Sequence, residues 1–335
     1  MPQKIFGKIK KNSRILILTH TGCDVDAFAS AGAIYFSLKH RFRITIGVPD
    51  HLNVYAKALA QKLQIPFTIN PRSMENFDCL LLVDFNSYKM LGSMEQSVRE
   101  CKKNIFLIDH HSKSADKITK NSIILPEAVA SAEIVFELLE KEKIKIPPKA
   151  AACIAAGITA DSAGFMVADH ETFALMAKAM RAAKKPFSEI NSLFQVEEGF
   201  SEKVAKLKAA KRVRIFKVNN FIVATTRVGC FEADAATALA RLGADIAFAG
   251  DLEEHNLKIS GRARSEFVRQ NGFDLAKHVF EPLEKYFSGS GGGHAGAAAF
   301  TGTADSIEAV LQKCLELTQE FAKSKFGNAD TKEYE

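Results

Sequence analysis

The sequence predicts an α/β protein: a parallel sheet flanked by helices, then a smaller α/β domain, with a cleft between them. Three features point there. In the first half, short apolar runs that do not alternate with polar residues are separated by helix-period segments, as in strands buried on both faces. Several of those runs end on an aspartate or a histidine, at the sheet edge where ligands bind in such folds. After Lys184 the pattern changes character, and a length of 335 residues leaves room for a second domain.

Taken in order, strands are expected at 14–19, 43–48, 66–69, 78–83 and 104–108. Helices are expected at 27–39, 52–63, 87–101, 128–142, 148–159, 170–183 and 188–199. Lys184-Lys185-Pro186 breaks a helix, and the charged helical stretch from Phe200 to Arg212 reads as a connection. Two apolar runs around Asn219-Asn220 predict a hairpin over 213–228. A helix at 233–242, strands near 245–250 and 256–260, and a helix at 273–287 follow. The chain then offers a glycine-rich loop at 289–296, a strand at 297–301 and a helix at 305–324. Residues 325–335 have no apolar period and are expected to fray. The expected division is a catalytic domain over 1–187, a helical linker over 188–212, a substrate domain over 213–325 and a flexible tail over 326–335.

Composition narrows the class. Hydrophobic residues make up 47% and charged residues 25%, enough apolar material for two cores. The net charge of +6 leans toward an anionic substrate. No apolar run approaches the roughly 18 residues of a membrane span, and the first residues lack a signal-like apolar stretch. The six cysteines are scattered without a CxxC pair, so they read as reduced thiols of a cytoplasmic protein, not a disulfide frame or zinc site.

The chemistry concentrates at the ends of the apolar runs. Arg14–Thr19 leads into His20, Asp24 and Asp26; Cys79–Val83 ends on Asp84; Asn104–Ile108 ends on Asp109-His110-His111. Ala155–Ala160, ending on Asp161, is read as another acidic strand end, although a helical pattern covers 148–159. His20, Asp24, Asp26, Asp84, His110 and Asp161 form a ligand set rich in oxygen with a minority of imidazoles. That set suits Mn²⁺ or Mg²⁺ better than zinc. It is too large for one ion if Asp84 bridges, and two ions about 3.5–4 Å apart fit phosphoester hydrolysis. Singly, such residues are more often helix caps or satisfied surface groups, and Asp26 could be a cap. Asp50-His51 and Asp169-His170 are read as caps.

A second constellation lies downstream. Gly291, Gly292 and Gly293 with His294 could turn backbone N–H groups toward a phosphate, and no lysine follows as it would in a Walker loop. Arg262 and Arg264 follow an apolar run, and Arg262 is the foremost candidate for bidentate phosphate contact.

With these residues in view, the chain resembles the DHH phosphoesterases of the DHH–DHHA1 subfamily, the group of RecJ-like proteins, nano-RNases and pAp-phosphatases. The resemblance spans about residues 13–325. It rests on His20-Thr-Gly-Cys-Asp24-Val-Asp26, Leu82-Val-Asp84, Asp109-His110-His111, Gly157-Ile-Thr-Ala-Asp161, Ser260-Gly-Arg262 and Gly291-Gly-Gly-His294-Ala-Gly. Gly22-Cys23 departs from the family's Asn-Pro-like pair and leaves the ligands intact. The resemblance implies one metal on His20, Asp24 and Asp84, and another on Asp26, Asp84, His110 and Asp161. It implies that Asp109 orients His110, that His111 faces the phosphate or leaving oxygen, and that Arg262 and His294 hold a far phosphate. The implied activity is Mn²⁺-dependent hydrolysis, with Mg²⁺ as the weaker ion, of short oligonucleotides or 3′-phosphoadenosine 5′-phosphate. Cyclic or linear dinucleotides are the alternative substrates, and a non-catalytic nucleic-acid-binding or replication-scaffold relative is the alternative class. No membrane partner is implied, and a homodimer is left open.

Overall fold

In the computed structural model, which describes residues 4–334, the chain divides between Val196 and Glu197 into two units. The first is built on six strands: β1 (Arg14–Leu18), β2 (Arg43–Val48), β3 (Thr68–Ile69), β4 (Cys79–Val83), β5 (Asn104–Asp109) and β6 (Asn121–Ile124). All pair in parallel, in the order β3-β2-β1-β4-β5-β6. The order reverses between β1 and β4, the position at which open parallel sheets bind ligands. Around it lie α1 (Val25–Leu38), α2 (Val54–Leu63), α3 (Glu95–Arg99), α4 (Ser131–Lys141), α5 (Pro148–Asp161), α6 (His170–Ala183) and α7 (Phe187–Ser192).

The unbroken apolar runs have a direct cause. Alternate residues of one strand feed different cores. Ile15, Ile17, Leu81, Val83 and Ile108 join a cluster with Phe28, Val135 and Ile154 from α1, α4 and α5. Leu16, Leu18, Leu80, Leu82 and Leu107 join another with Phe85, Leu91 and Val98. A polar residue at any of these positions would sit in one core or the other.

Several elements differ from the sequence expectation. The Ala155–Ala160 run belongs to α5, so Asp161 ends a helix and not a strand; an alanine-rich segment favours helix. β6 was not expected, because its four residues are half polar. The expected linker begins too early: Ile190, Leu193 and Phe194 are buried in the first unit's core, and Lys62 Nζ donates to the carbonyls of Ser192 (2.5 Å) and Gln195 (3.0 Å).

The second unit contains α8 (Phe200–Lys211), β7 (Arg214–Val218), β8 (Phe221–Arg227), α9 (Glu232–Leu242), β9 (Ile246–Glu253), β10 (Asn256–Ala263) and α10 (Ser265–Asn271). A short π-helical turn (Ala276–Phe280), α11 (Glu281–Leu283), β11 (Ser288–His294), β12 (Ala297–Thr303), α12 (Ile307–Phe326) and β13 (Thr331–Tyr334) complete it. Its sheet runs β11-β12-β10-β9-β8-β7-β13, antiparallel except for β8 with β9. The glycine-rich segment is therefore strand β11 and not a loop. A Cβ on Gly291 would lie 2.3 Å from the Phe280 carbonyl oxygen, and one on Gly293 2.4 Å from that of Ala297. Close packing of backbone on backbone is what these positions require.

The expected flexible tail is also ordered. β13 pairs with β7, and Arg214 grips Glu333 with two bonds of 2.7 and 2.9 Å. Hydrogen bonds to an edge strand hold it, which leaves no apolar signature. Among the described residues, no helix is long and apolar enough to cross a membrane.

Candidate metal centre

Three neighbouring strands, β1, β4 and β5, deliver their C-terminal ends to one place. His20 lies two residues beyond β1. Its Nδ1 is 2.8 Å from the Thr21 carbonyl oxygen, which directs Nε2 to Asp24 Oδ1 (3.7 Å) and Asp84 Oδ2 (3.8 Å). Asp24 is the N-cap of α1, accepting from the Ala27 N–H at 3.0 Å. Asp26, two residues on, is fully buried and caps a different helix: it accepts the N–H groups of Ser131 (2.6 Å) and Ala132 (3.0 Å) at the start of α4. Of the two carboxylates at the start of α1, the local cap is thus Asp24. Gly157 lets the elements converge, since a Cβ there would lie 2.6 Å from Asp26 Oδ1 and 2.7 Å from Ala132 Cβ.

Asp84 follows β4 with φ of 70°, a left-handed conformation that aspartate tolerates better than most residues. It is buried; Oδ1 accepts from Ser131 Oγ (2.7 Å), while Oδ2 has no hydrogen-bond partner. His110 Nδ1 lies 3.2 Å from the Ala128 carbonyl oxygen, so in the neutral ring it carries the proton and Nε2 presents the lone pair. That Nε2 is 3.1 Å from Asp161 Oδ2 and 3.5 Å from Asp84 Oδ1, and it too lacks a hydrogen-bond partner. Asp161 sits at the C-terminal end of α5, where the helix dipole disfavours a carboxylate.

Charge makes the arrangement costly without a cation. Burial, and then the charge of Asp161, pushes the Asp26 carboxyl up to about 8, against the pull of His110. Burial, with Asp26 and Asp24 next, pushes Asp84 well above the usual carboxylate range. Burial depresses His110, but the neighbouring carboxylates, Asp161 first and then Asp26, outweigh it and raise the ring to about 9. For His20 burial is likewise outweighed, by Asp24, and its pKa is raised; Asp24 is held low against burial by His20 and the Ala27 N–H.

Among the described residues three sets of ligand atoms lie close enough to hold an ion: His20, Asp24 and Asp84; Asp26, His110 and Asp161; and Asp84, His110 and His111. Asp84 faces both histidines, with Oδ2 toward His20 and Oδ1 toward His110. A divalent cation would satisfy the unpartnered oxygen and nitrogen and neutralise the carboxylates, so these residues fit the ions that the sequence implied.

One expected role is corrected. Asp109 does not orient His110; its Oδ1 accepts from His111 Nδ1 (2.8 Å) and from the His111 N–H (3.2 Å). The strand ends at Asp109, and the chain beyond it turns so that His111, two positions on, folds back to this carboxylate. His111 Nε2 is left free on a half-exposed ring. Asn86, absent from the sequence argument, locks this pair. Its amide nitrogen donates to Asp109 and to the carbonyls of His111 and Ser112 (3.4 and 3.0 Å), and its oxygen accepts from Ser114 N–H (2.8 Å). Its only sequence signal was its place two residues after Asp84. Ser131, which touches both Asp26 and Asp84, was missed as well. Asn86→Ala is expected to leave metal binding intact and to cut turnover about a hundredfold on esters with poor leaving groups. Much less is expected on p-nitrophenyl esters, which need no proton. Comparing the two substrate types checks this; equal losses would refute it.

Asp169 caps α6, as expected, through the Thr172 N–H at 2.9 Å. Asp50 is not a helix cap; Asn53 caps α2. Asp50 Oδ1 instead accepts from Gly22 N–H (2.8 Å) and pins the loop that carries Asp24.

In the second unit, Arg262 and His294 are both register partners of Ala297, from either side of β12, and so share one sheet face. Arg262 Nε donates to Thr237 Oγ1 (3.1 Å), and on β11 a Cβ at Gly292 would meet nothing within 4 Å. Arg264 pairs with Asp245 (3.5 Å) and Glu266 (3.7 Å), which accounts for it structurally.

Comparison with known proteins follows the same division. Residues 14–158 match the DHH family, N-terminal domain, and residues 220–320 match the DHHA1 domain. An uncharacterized protein of Methanocaldococcus jannaschii is 27% identical over 334 aligned residues, spanning 94% of this chain and 97% of its own. An exopolyphosphatase-related protein from Bacteroides fragilis shares the fold, with a TM-score of 0.62 at 18% identity over 93% of this chain and 92% of that one. The exonuclease RecJ bound to manganese is more distant, with a TM-score of 0.41 at 13% identity over 93% and 90%.

Proposed function

The chain belongs to the DHH–DHHA1 family, and on that premise we propose that it is a two-metal phosphohydrolase of short oligonucleotides or 3′-phosphoadenosine 5′-phosphate. The observation that carries this is the pair of buried, unpartnered atoms, Asp84 Oδ2 and His110 Nε2, inside a ring of carboxylates. His20, Asp24 and Asp84 would hold one ion, and Asp26, Asp84, His110 and Asp161 the other. The oxygen-rich set favours Mn²⁺, with Mg²⁺ weaker. Bound ions of this kind polarise a phosphoryl oxygen and lower the pKa of water.

The protein's own contribution lies in positioning. Asp109 holds His111 Nδ1, so Nε2 faces outward; as the imidazolium the ring would donate its Nε2–H to a phosphate oxygen or pass that proton to a leaving oxygen, returning to the neutral form. In the second unit Arg262 and His294 offer donors to a phosphate on one sheet face, which supports a nucleotide substrate. Cyclic or linear dinucleotides suit the same groups. A non-catalytic role is less well supported, since the six candidate ligands cluster in two sets that could each hold an ion.

The test is a substrate panel with Mn²⁺: 3′-phosphoadenosine 5′-phosphate, linear and cyclic dinucleotides, a five-mer and a thirty-mer. Short substrates should turn over fastest. Equal turnover per end on the thirty-mer would indicate a processive nuclease, and none on any substrate a binding protein. Arg262→Ala should weaken nucleotide affinity about ten- to hundredfold, the loss of a charge-assisted contact of roughly 1.5–3 kcal/mol. It should leave p-nitrophenyl phosphate hydrolysis nearly unchanged; uniform loss would remove Arg262 from substrate binding.

A further inference from the structure

Charge is unevenly shared between the units. Up to Val196 the chain has 26 Lys and Arg against 19 Asp and Glu, a net of +7; beyond it, 19 against 20, a net of −1. Five of the first unit's acids, Asp24, Asp26, Asp84, Asp109 and Asp161, cluster at the C-terminal ends of its strands. The excess of cations therefore lies elsewhere on that unit.

Much of it sits along the opposite end of the sheet. Arg43 opens β2 and is the register partner of Arg14, which opens β1. Lys10 and Lys11 lie in the turn before β1. Lys102 and Lys103 directly precede β5, whose Asn104 is the register partner of Cys79, and Lys120 precedes β6. All of these cations are exposed. The row crosses five adjacent strands, about 19 Å at roughly 4.8 Å per strand. A groove of about 660 Å³ at its middle is lined by Lys10, Lys11, Ser13 and Asn104, among others.

Three acids near this edge are already engaged. Asp78 accepts from the Arg14 N–H (2.7 Å) and guanidinium (3.2 Å). Glu142 accepts three backbone N–H groups, from Ile5, Phe6 and Gly7, at 2.7, 3.0 and 2.7 Å. Glu100 accepts from Gln96. Helix C-termini at this edge call for some positive charge, but like charges side by side on paired strands exceed that need. Arranged so, they favour a polyanion.

We propose that this N-terminal sheet edge of the first unit binds the phosphate backbone of a nucleic acid, at a place separate from the metal centre. A nucleic acid is favoured over an anionic membrane because the apolar side chains at this edge, Ile5, Phe6 and Ile9, are buried and cannot insert. The surface does not require hydrolysis, so its failure and that of the enzymatic reading are separable.

The test uses full-length protein with chelator and a fluorescent 20-mer RNA, followed by anisotropy across a salt series. Wild-type binding should weaken steeply with salt. Replacing Lys10, Lys11, Lys102 and Lys103 together by Glu should weaken it at least tenfold. Their neutral replacement by Gln, which guards against misfolding from charge reversal, should lower the slope of log K against log salt by up to about 3. With Mn²⁺ restored, p-nitrophenyl ester hydrolysis should be unchanged in both variants. Unaltered RNA binding in the variants would overturn the proposal. So would vesicles with phosphatidylserine binding the wild type more tightly than RNA does, with that binding lost in the variants.

Discussion

Asp84→Asn is expected to lower Mn²⁺-dependent turnover about a thousandfold or more while raising the melting temperature of the metal-free protein. Asp84 faces both candidate ion sites, so losing its charge should weaken both. The same carboxylate is buried beside Asp26 with one oxygen unpartnered, which destabilises the fold when no cation is present. Asparagine keeps the shape and tolerates the left-handed backbone at this position. Turnover on a dinucleotide and thermal unfolding in chelator check the two halves. A variant with near-wild-type turnover would remove Asp84 from its bridging place, and a lower metal-free melting temperature would contradict the electrostatic argument.

The second large effect is on pH. Without metal, the protein should lose stability as pH rises from 5 to 9, the reverse of ordinary acid denaturation. Asp26 is raised to about 8 in the folded state, so between roughly pH 4 and 8 the folded chain holds a proton that the unfolded chain releases. Stability falls with rising pH over that window, by at most about 1.4 kcal/mol per unit for one such group. His110, raised to about 9, acts in the same direction: its stabilisation is complete below about 6.5 and is lost as pH passes its folded value. Mn²⁺ should restore most of the loss at high pH, because the ion replaces the protons. Melting curves at pH 5, 7 and 9, with chelator and with Mn²⁺, read this directly. A flat or rising metal-free melting temperature would contradict it.

The clustering of these histidines and carboxylates was legible in the sequence, because side chains at strand ends are fixed by the strands. β1, β4 and β5 are unbroken apolar runs whose ends place His20, Asp84 and His110 within a few residues of the sheet edge. Asp161 was identified as a ligand on the wrong element, since an alanine-rich run looks the same as a buried strand until its length settles the matter. Second partners were harder. Asp109 lies one residue from His110 and two from His111, and only the path of the chain beyond the strand decides which it touches. Asn86 and Ser131 act through single hydrogen bonds across more than twenty residues of sequence, which no periodicity records. The glycine-rich segment suggested a phosphate loop because glycine permits it. The contact of Gly291 with the Phe280 backbone shows a different demand. β13 was missed because hydrogen bonds and the Arg214–Glu333 pair, not apolar burial, hold it.

The most direct measurement is a crystal of the protein grown with Mn²⁺, with anomalous scattering recorded at the manganese edge. Two-metal binding predicts two separate peaks, one on the His20 side and one on the His110 side of Asp84. A single peak, or none against Asp84, would contradict it.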